Sequence, residues 1–355
     1  MVHHQEYIIR ALKLIELHKD VRNVGIIGAS GFAGEELIRF LDSHSYSSIL
    51  AVSSRELRGQ TTSSFVNGTN LTFVDPDDDI FYECDVVFFA TPHGISMQKA
   101  KSFLERGIKV IDLSADFRLK NPEVWKKWYN SNHEDLTGLK SAVYGLTELN
   151  ADLIKDANLI AVPGCYPTAS ILGLAPIIKN NTNIDSIIID AKSGISGAGR
   201  SSVENNLRDD IKENFKAYAT SGHRHLPEIE QILEEMCGSS LGINFLPHLI
   251  PAMRGIYATI YINFKDKPED NFLEIYNQFY QDSPNVSLMA EGEIPEILKV
   301  SKTNKCQIGI YSSAIENQIV VISAIDNLVK GAAGQAMECY NLVCGYNQME
   351  GINDG

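Results

Sequence analysis

Cys165 stands in Leu159-Ile-Ala-Val-Pro-Gly-Cys165-Tyr-Pro-Thr. There a short apolar run breaks at Pro163-Gly164 and a helical pattern opens with Pro167 in its first turn. Proline is tolerated at that place because the first N–H groups of a helix have no helical partner. A thiol there meets unpaired N–H groups and the positive end of the helix dipole. Such a setting stabilises a thiolate and lowers a cysteine pKa from about 8.5 toward neutrality. The chemistry this allows is nucleophilic attack on an activated acyl group. The competing reading is a small buried hydrophobe, the common state of a free cysteine.

A second cluster, Ser221-Gly-His223-Arg224-His225-Leu-Pro227-Glu228, precedes another helical pattern. Imidazole moves protons near neutral pH, and a Cys/His pair need be close only in space. A metal site or a capped helix start are the rivals. Zinc is disfavoured because no further His/Cys cluster completes four ligands. Alternate residues of an extended segment point opposite ways, so only one of His223 and His225 is expected to face Cys165.

Anion-binding groups lie around these residues. Arg118 follows the strand Lys109–Ser114, where a rigid guanidinium fork can clamp a carboxylate or phosphate. Ser193-Gly194-Ile-Ser-Gly197-Ala-Gly199-Arg200 ends another strand, and its backbone N–H groups are expected to form an anion nest. Residues 161–225 hold seven Lys/Arg against six Asp/Glu in a chain of net charge −14, a relatively positive region suited to anionic reactants.

Gly28-Ala-Ser30-Gly31-Phe32-Ala33-Gly34 sits between an apolar strand and a helical pattern, in a G-x-x-G-x-x-G spacing. Glycines there let the backbone close on a pyrophosphate resting at the helix N-terminus; an ordinary tight turn is the alternative. The next strand, Ser47–Val52, runs into Ser53-Ser54-Arg55 with no acid before Glu56. An acid at that strand end favours NAD, whereas arginine accommodates a 2′-phosphate. NADP is therefore expected, with Ser53 and Arg55 as contacts. Thr91, Pro92, Ser114 and Ala115 follow the carboxyl ends of later strands, where ligands bind in such sheets. His93 reads as a turn residue, and Trp125 and Trp128 as packing residues of a local helix.

The elements that position these groups begin with a βαβα rhythm of continuous apolar strands, which implies a parallel sheet covered on both faces. Beyond Cys165 the pattern changes to successive strands: Asp185–Ser193, Leu241–Met253, Gly255–Phe264, Cys306–Ser312 and Gln318–Ile325. Helical segments Leu226–Cys237 and Asn271–Tyr280 lie among them, which predicts an α+β second domain. A last helix opens at Asp326-Asn327-Leu-Val-Lys330-Gly331 and can present Asn327 and Lys330 to the cofactor.

At 355 residues the chain has room for two domains. Its net charge of −14 argues against a nucleic-acid or anionic-membrane binder. No apolar run reaches the ~18 residues of a membrane span. Residues 1–20 mix charged with apolar positions as an amphipathic helix does, unlike a signal peptide. Six cysteines without CxxC spacing fit a reduced, cytoplasmic protein.

Taken together, the segments Gly28–Gly34, Asp112–Arg118, Pro163–Thr168, Ser193–Arg200, Gly222–Glu228 and Asp326–Ala336 resemble the N-acetyl-γ-glutamyl-phosphate reductase family. Its wider relatives are aspartate-semialdehyde and glyceraldehyde-3-phosphate dehydrogenases. The resemblance implies a Rossmann domain over 22–164, completed by a C-terminal helix over 327–350, and an α+β catalytic and dimerisation domain over 165–326. Residues 1–21 stand outside it as a helical extension. It implies a phosphorylating aldehyde dehydrogenase of arginine biosynthesis, acting with NADPH on an anionic acyl phosphate through a Cys165 thioester. In that scheme His225, ahead of His223, is the acid/base, and Glu228 orients it. Ser193, Gly194, Arg118, Arg200 and Arg224 bind substrate, with the division of phosphate and carboxylate among the arginines left open. A homodimer or homotetramer is implied, with no metal. A carrier-protein-linked aminoadipyl or glutamyl phosphate reductase of lysine biosynthesis is the sibling alternative, which the acidic total charge disfavours. A catalytically inactive NADP-binding regulator is the alternative of another class. It has no need of Cys165 together with His225.

Overall fold

The computed structural model describes residues 21–64, 66, 69–180, 183–204 and 213–352. The extension expected over 1–21 thus lies, apart from Val21, outside the described residues. The first half builds a seven-stranded parallel sheet in the order β3-β2-β1-β4-β5-β7-β6. Its strands are β1 (Arg22–Ile27), β2 (Ser47–Ser53), β3 (Phe73–Val74), β4 (Val86–Phe89), β5 (Lys109–Asp112), β6 (Val143–Tyr144) and β7 (Leu159–Ala161). The four residues of β4 are all buried because helices cover both faces. These helices are α1 (Phe32–Asp42), α2 (Ser96–Leu104), α3 (Pro122–Tyr129), α4 (Leu136–Ser141) and α5 (Thr147–Lys155).

Chain reversal at Pro163-Gly164 leads into α6 (Cys165–Asn180), whose residues Tyr166 to Ile178 are all buried. A helix apolar on every side belongs in a core rather than at a surface. Pro176 lies inside it and leaves the Leu172 carbonyl without its helical donor. The Tyr280 hydroxyl donates to that carbonyl at 2.5 Å, and Tyr276 donates to the neighbouring Gly173 carbonyl. Both tyrosines come from α8 (Phe272–Tyr280), so the proline locks two helices together. Beneath α6 lies a mixed sheet in the order β12-β13-β14-β11-β8-β10-β9. It comprises β8 (Ile184–Ser193), β9 (Lys216–Ala217), β10 (Ile243–Leu249), β11 (Ile256–Phe264), β12 (Val286–Leu288), β13 (Cys306–Ser312) and β14 (Gln318–Ile325). Along β11 burial alternates residue by residue, so one face meets the helices. The other face presents Ile188, Tyr257, Tyr261, Val320 and Ile322, all partly exposed or exposed.

The chain then returns to the first domain. After a wide helical turn at Val329–Ala333 comes α10 (Gly334–Val343), preceded in order by α7 (Leu226–Cys237), α8 and α9 (Ile297–Val300). Ala336, Met337 and Tyr340 of α10 join the core formed by Val24, Ile26 and Leu37. The last helix is shorter than the expected 327–350, because Gly345 takes a left-handed φ of +73° after Val343. Among the described residues no helix is long and apolar enough to cross a membrane.

Candidate active site

Cys165 is the first residue of α6 and retains partial exposure. Gly164 supplies the capping carbonyl, accepting from the Thr168 amide at 2.9 Å and the Thr168 hydroxyl at 3.0 Å. Burial pushes the Cys165 thiol up to about 11, against the opposite pull of Arg118 and of first-turn N–H groups. This corrects the expectation that the helix start alone would lower it. Activation therefore requires a base that takes the proton as substrate arrives.

His225 reaches the turn that precedes Cys165. Its Nε2 lies 2.6 Å from the place a Cβ on Gly164 would occupy, and Arg118 Nη1 lies 3.0 Å from it. Only glycine lets both groups close on the residue before the nucleophile. Burial, then His223, Arg118 and Arg224, hold His225 well below the usual histidine range, so the imidazole is neutral and can accept a proton. Its Nδ1 is buried without a hydrogen-bond partner. His223 stands behind it, ring centroids 4.8 Å apart, among Tyr166, Tyr218 and Phe245. Residues 223–226 form a turn, with Leu226 N–H donating to the His223 carbonyl at 2.9 Å, and of the two histidines it is His225 that approaches Gly164. Burial and Arg224 lower His223 to about 4, and its Nδ1 accepts from the His225 amide at 3.1 Å.

Glu228 does not reach the histidine through any hydrogen bond given by the structure. Its Oε1 accepts from the Gly164 amide and the Tyr144 hydroxyl, each at 2.8 Å, and its Oε2 faces Arg118 Nη1 at 3.6 Å. It orients the turn that carries Cys165. Arg118 is likewise braced rather than an open clamp: Nε donates to the Val162 carbonyl and Nη2 to the Leu113 carbonyl, both at 2.7 Å. Nη1 is the edge left toward the site. Arg224 stays exposed, 3.5 Å from His93 Nδ1 and 5.3 Å over the Tyr129 ring. The expected anion nest is closed. Gly194, Ile195 and Ser196 amides donate to the carbonyls of Gly255, Ala252 and Met253 at 2.9–3.0 Å, and the Ser193 hydroxyl donates to the Gly194 carbonyl at 2.8 Å.

The glycine turn lines a cavity of about 400 Å³ walled by Gly28, Ser30, Gly31, Ser54, Arg55, Thr91, Pro92 and Arg200. Gly28 has φ +87°, and a Cβ there would lie 2.6 Å from the Ala90 carbonyl oxygen. The Thr91 hydroxyl oxygen is buried without a partner. A backbone cradle at the start of α1, with an unengaged hydroxyl and an arginine at the β2 end, fits a phosphorylated dinucleotide. Ser53 lies behind the wall, its hydroxyl accepting from the Gly28 amide at 3.3 Å; Ser54 takes the expected place beside Arg55 and meets Ser30 at 2.9 Å. Phe32 and Ala33 form the first turn of α1.

Five expected site residues change place. Arg200 belongs to this cavity, not to the substrate side, because its Nε donates to the Ser30 carbonyl at 3.0 Å. Ser114 is buried and bonds Asp112, with Ala115 beside it, so neither lies on the cavity wall. Asn327 is held inside, its Nδ2 donating to Ser196 Oγ at 2.9 Å and its Oδ1 accepting from the Gly255 amide at 2.7 Å. Lys330 is fully buried between Glu148 at 2.5 Å and Glu338 at 2.6 Å. An ammonium so enclosed is a structural brace rather than a cofactor contact.

Gly331 is a site residue the sequence did not single out. A Cβ there would lie 2.8 Å from Cys165 Cβ. Gly331→Ala is expected to push the nucleophile aside and lower kcat about 10- to 100-fold, with native circular dichroism. Turnover within twofold of wild type would contradict this placement.

Two family models match: the semialdehyde dehydrogenase NAD-binding domain over residues 23–157 and the semialdehyde dehydrogenase dimerisation domain over 165–327. Curated relatives include the N-acetyl-gamma-glutamyl-phosphate reductase of Ruthia magnifica subsp. Calyptogena magnifica, 43% identical across 93% of this chain and 97% of that one. That of Marinobacter nauticus matches at the same identity and coverage. Among solved structures, aspartate semialdehyde dehydrogenase II from Vibrio cholerae shares the fold at TM-score 0.71 and 17% identity, covering 91% of this chain and 98% of that one. Aspartate semialdehyde dehydrogenase with NADP from Candida albicans aligns at TM-score 0.69 and 16% identity, with the same coverage.

Proposed function

The chain belongs to the N-acetyl-γ-glutamyl-phosphate reductase family of semialdehyde dehydrogenases, and from that membership we infer how its own residues carry the reaction. The reaction is NADPH-dependent reduction of N-acetyl-γ-glutamyl phosphate to N-acetyl-L-glutamate 5-semialdehyde and phosphate, in arginine biosynthesis. The observation that supports our assignment of residues is the convergence of His225 Nε2 and Arg118 Nη1 on Gly164, beside Cys165.

Cys165 Sγ attacks the acyl carbon while His225 Nε2 takes the thiol proton. The C–O bond to phosphate breaks, leaving a thioester on Cys165. Arg224 and the α6 N-terminus stabilise the departing anion, which takes the proton from His225. NADPH, when bound, supplies the hydride that reduces the thioester carbon. His225, reprotonated from solvent, gives that proton to the oxygen of the resulting hemithioacetal; as the C–S bond breaks it takes the hydroxyl proton back and passes it to Sγ, restoring the thiol. Glu228, Tyr144 and Arg118 keep the Cys165 turn in register.

Ser30, Gly31 and the start of α1 would hold the dinucleotide diphosphate, and Ser54 with Arg55 its 2′-phosphate. Arg55→Ala is expected to raise the KM for NADP about 10-fold or more with little change for NAD. Equal effects on both would remove this assignment. We divide the chain into a cofactor unit over 22–164 with the terminal helix, and a catalytic unit over 165–326. We further propose a homodimer formed through the open face of the second sheet, with a homotetramer as the larger option, in the cytoplasm. That face is a partly apolar sheet surface that, among the described residues, helices leave uncovered, and all six cysteines are free.

The test is phosphate-dependent NADP reduction with three semialdehydes: N-acetylglutamate, aspartate and aminoadipate. Preference for the N-acetylglutamate compound is expected. Preference for the aminoadipate compound, above all when carrier-linked, would move the chain to the sibling pathway.

A further inference from the structure

Two adjacent carboxylates on α1 are each paired with an arginine from the other domain. Glu36 is held by Arg254, which also lies 3.4 Å from Asp326. Both side chains of the Glu36–Arg254 pair are buried or nearly so, and neither residue lines the dinucleotide cavity. Glu35 differs. It pairs with Arg200, the residue that ends the Ser193–Arg200 loop and lies on the cavity wall beside Gly28, Ser30 and Gly31. The Arg200 guanidinium lies 4.4 Å above the Phe32 ring, directly over the first turn of α1.

We propose that Arg200 is a ligand of the dinucleotide diphosphate and that Glu35 is its competitor, so that cofactor binding transfers the arginine from carboxylate to phosphate. Carboxylate and phosphate are the two anions that match a guanidinium fork, so one can replace the other with little change in geometry. The diphosphate carries the larger charge and rests at the same helix N-terminus. Release of Arg200 leaves Glu35 paired, because Arg39 Nη2 lies 2.5 Å from its other oxygen. Glu35 also stays in the first helical turn, where a carboxylate is favoured. The Arg254–Glu36 pair serves as the fixed point about which the exchange occurs.

This inference rests on the NADP reading above, and the experiment separates the two. Dissociation constants of the full-length chain are measured for NADPH by fluorescence and for 2′-phospho-ADP-ribose, which lacks nicotinamide, by calorimetry. Arg200→Ala is expected to weaken both at least about 10-fold, and Arg200→Lys to recover part of the loss. Glu35→Gln, which removes the competing charge, is expected to tighten both about threefold or more. Opposite signs are the diagnostic. If Glu35→Gln weakens binding or leaves it unchanged, the ion pair only staples the domains and the proposal is overturned. Wild-type affinity in Arg200→Ala would overturn it equally. Should Arg200→Ala fail to fold, the Glu35→Gln sign decides alone. Wild-type chain that binds neither NADPH nor NADH would remove the cofactor reading, and this proposal with it.

Discussion

Cys165→Ser is expected to lower turnover at least about 10³-fold while NADPH affinity stays within about twofold. The serine hydroxyl is of nearly the same size, so the helix start and the close approach of the Gly331 backbone survive. What changes is the nucleophile. An alkoxide is far harder to form than a thiolate, and an oxygen ester is a poorer hydride acceptor than a thioester. The surroundings add to the effect, because burial already holds the thiol up at about 11. A serine hydroxyl, intrinsically far less acidic than a thiol, meets the same burial. Steady-state kinetics together with a cofactor titration check both halves. Equal turnover of wild type and variant would end the thioester account.

The second large effect concerns His225→Asn, expected to lower kcat about 10²- to 10⁴-fold near pH 7.5. Burial, His223, Arg118 and Arg224 all depress the His225 pKa, so the base is neutral across the neutral range and charges only in acid. The sign follows: wild-type rate is lost as pH falls through a value well below that of an ordinary histidine, and is level above it. Without the imidazole, the thiol must lose its proton to solvent. The variant rate is therefore expected to rise with pH toward the thiol titration near about 11, narrowing the deficit. A pH profile of kcat/KM for both proteins measures this. A constant deficit across pH would assign His225 to packing.

Local features were legible in the sequence. The Gly28–Gly34 turn, the position of Cys165 at a helix start, and the limits of β13, β14 and α7 follow from short-range pattern and agree with the structure. Long-range partnerships were not. Glu228 was expected to serve the histidine three residues away, yet it holds Gly164 and Tyr144, 64 and 84 residues distant. Lys330 was assigned to the cofactor as a terminal helix residue, whereas Glu148, 182 residues away, encloses it. Neither pairing leaves a trace in spacing or periodicity. Backbone donors misled in another way. A run of small residues at 193–200 signals a tight loop, but whether its amides face a ligand depends on the carbonyls of 252–255, which claim them. At 223–226 the expected extended segment is a turn, so His223 is stacked behind His225 rather than pointing the opposite way.

The most direct test of the thioester on Cys165 is a rapid-quench reaction of wild-type enzyme with N-acetyl-γ-glutamyl phosphate and no NADPH. Phosphate release and intact protein mass are read together. The mechanism requires a burst of about one phosphate per active site and an N-acetylglutamyl adduct that peptide mapping places on Cys165, discharged to semialdehyde when NADPH is added. Absence of the burst, or an adduct on any other residue, would contradict it.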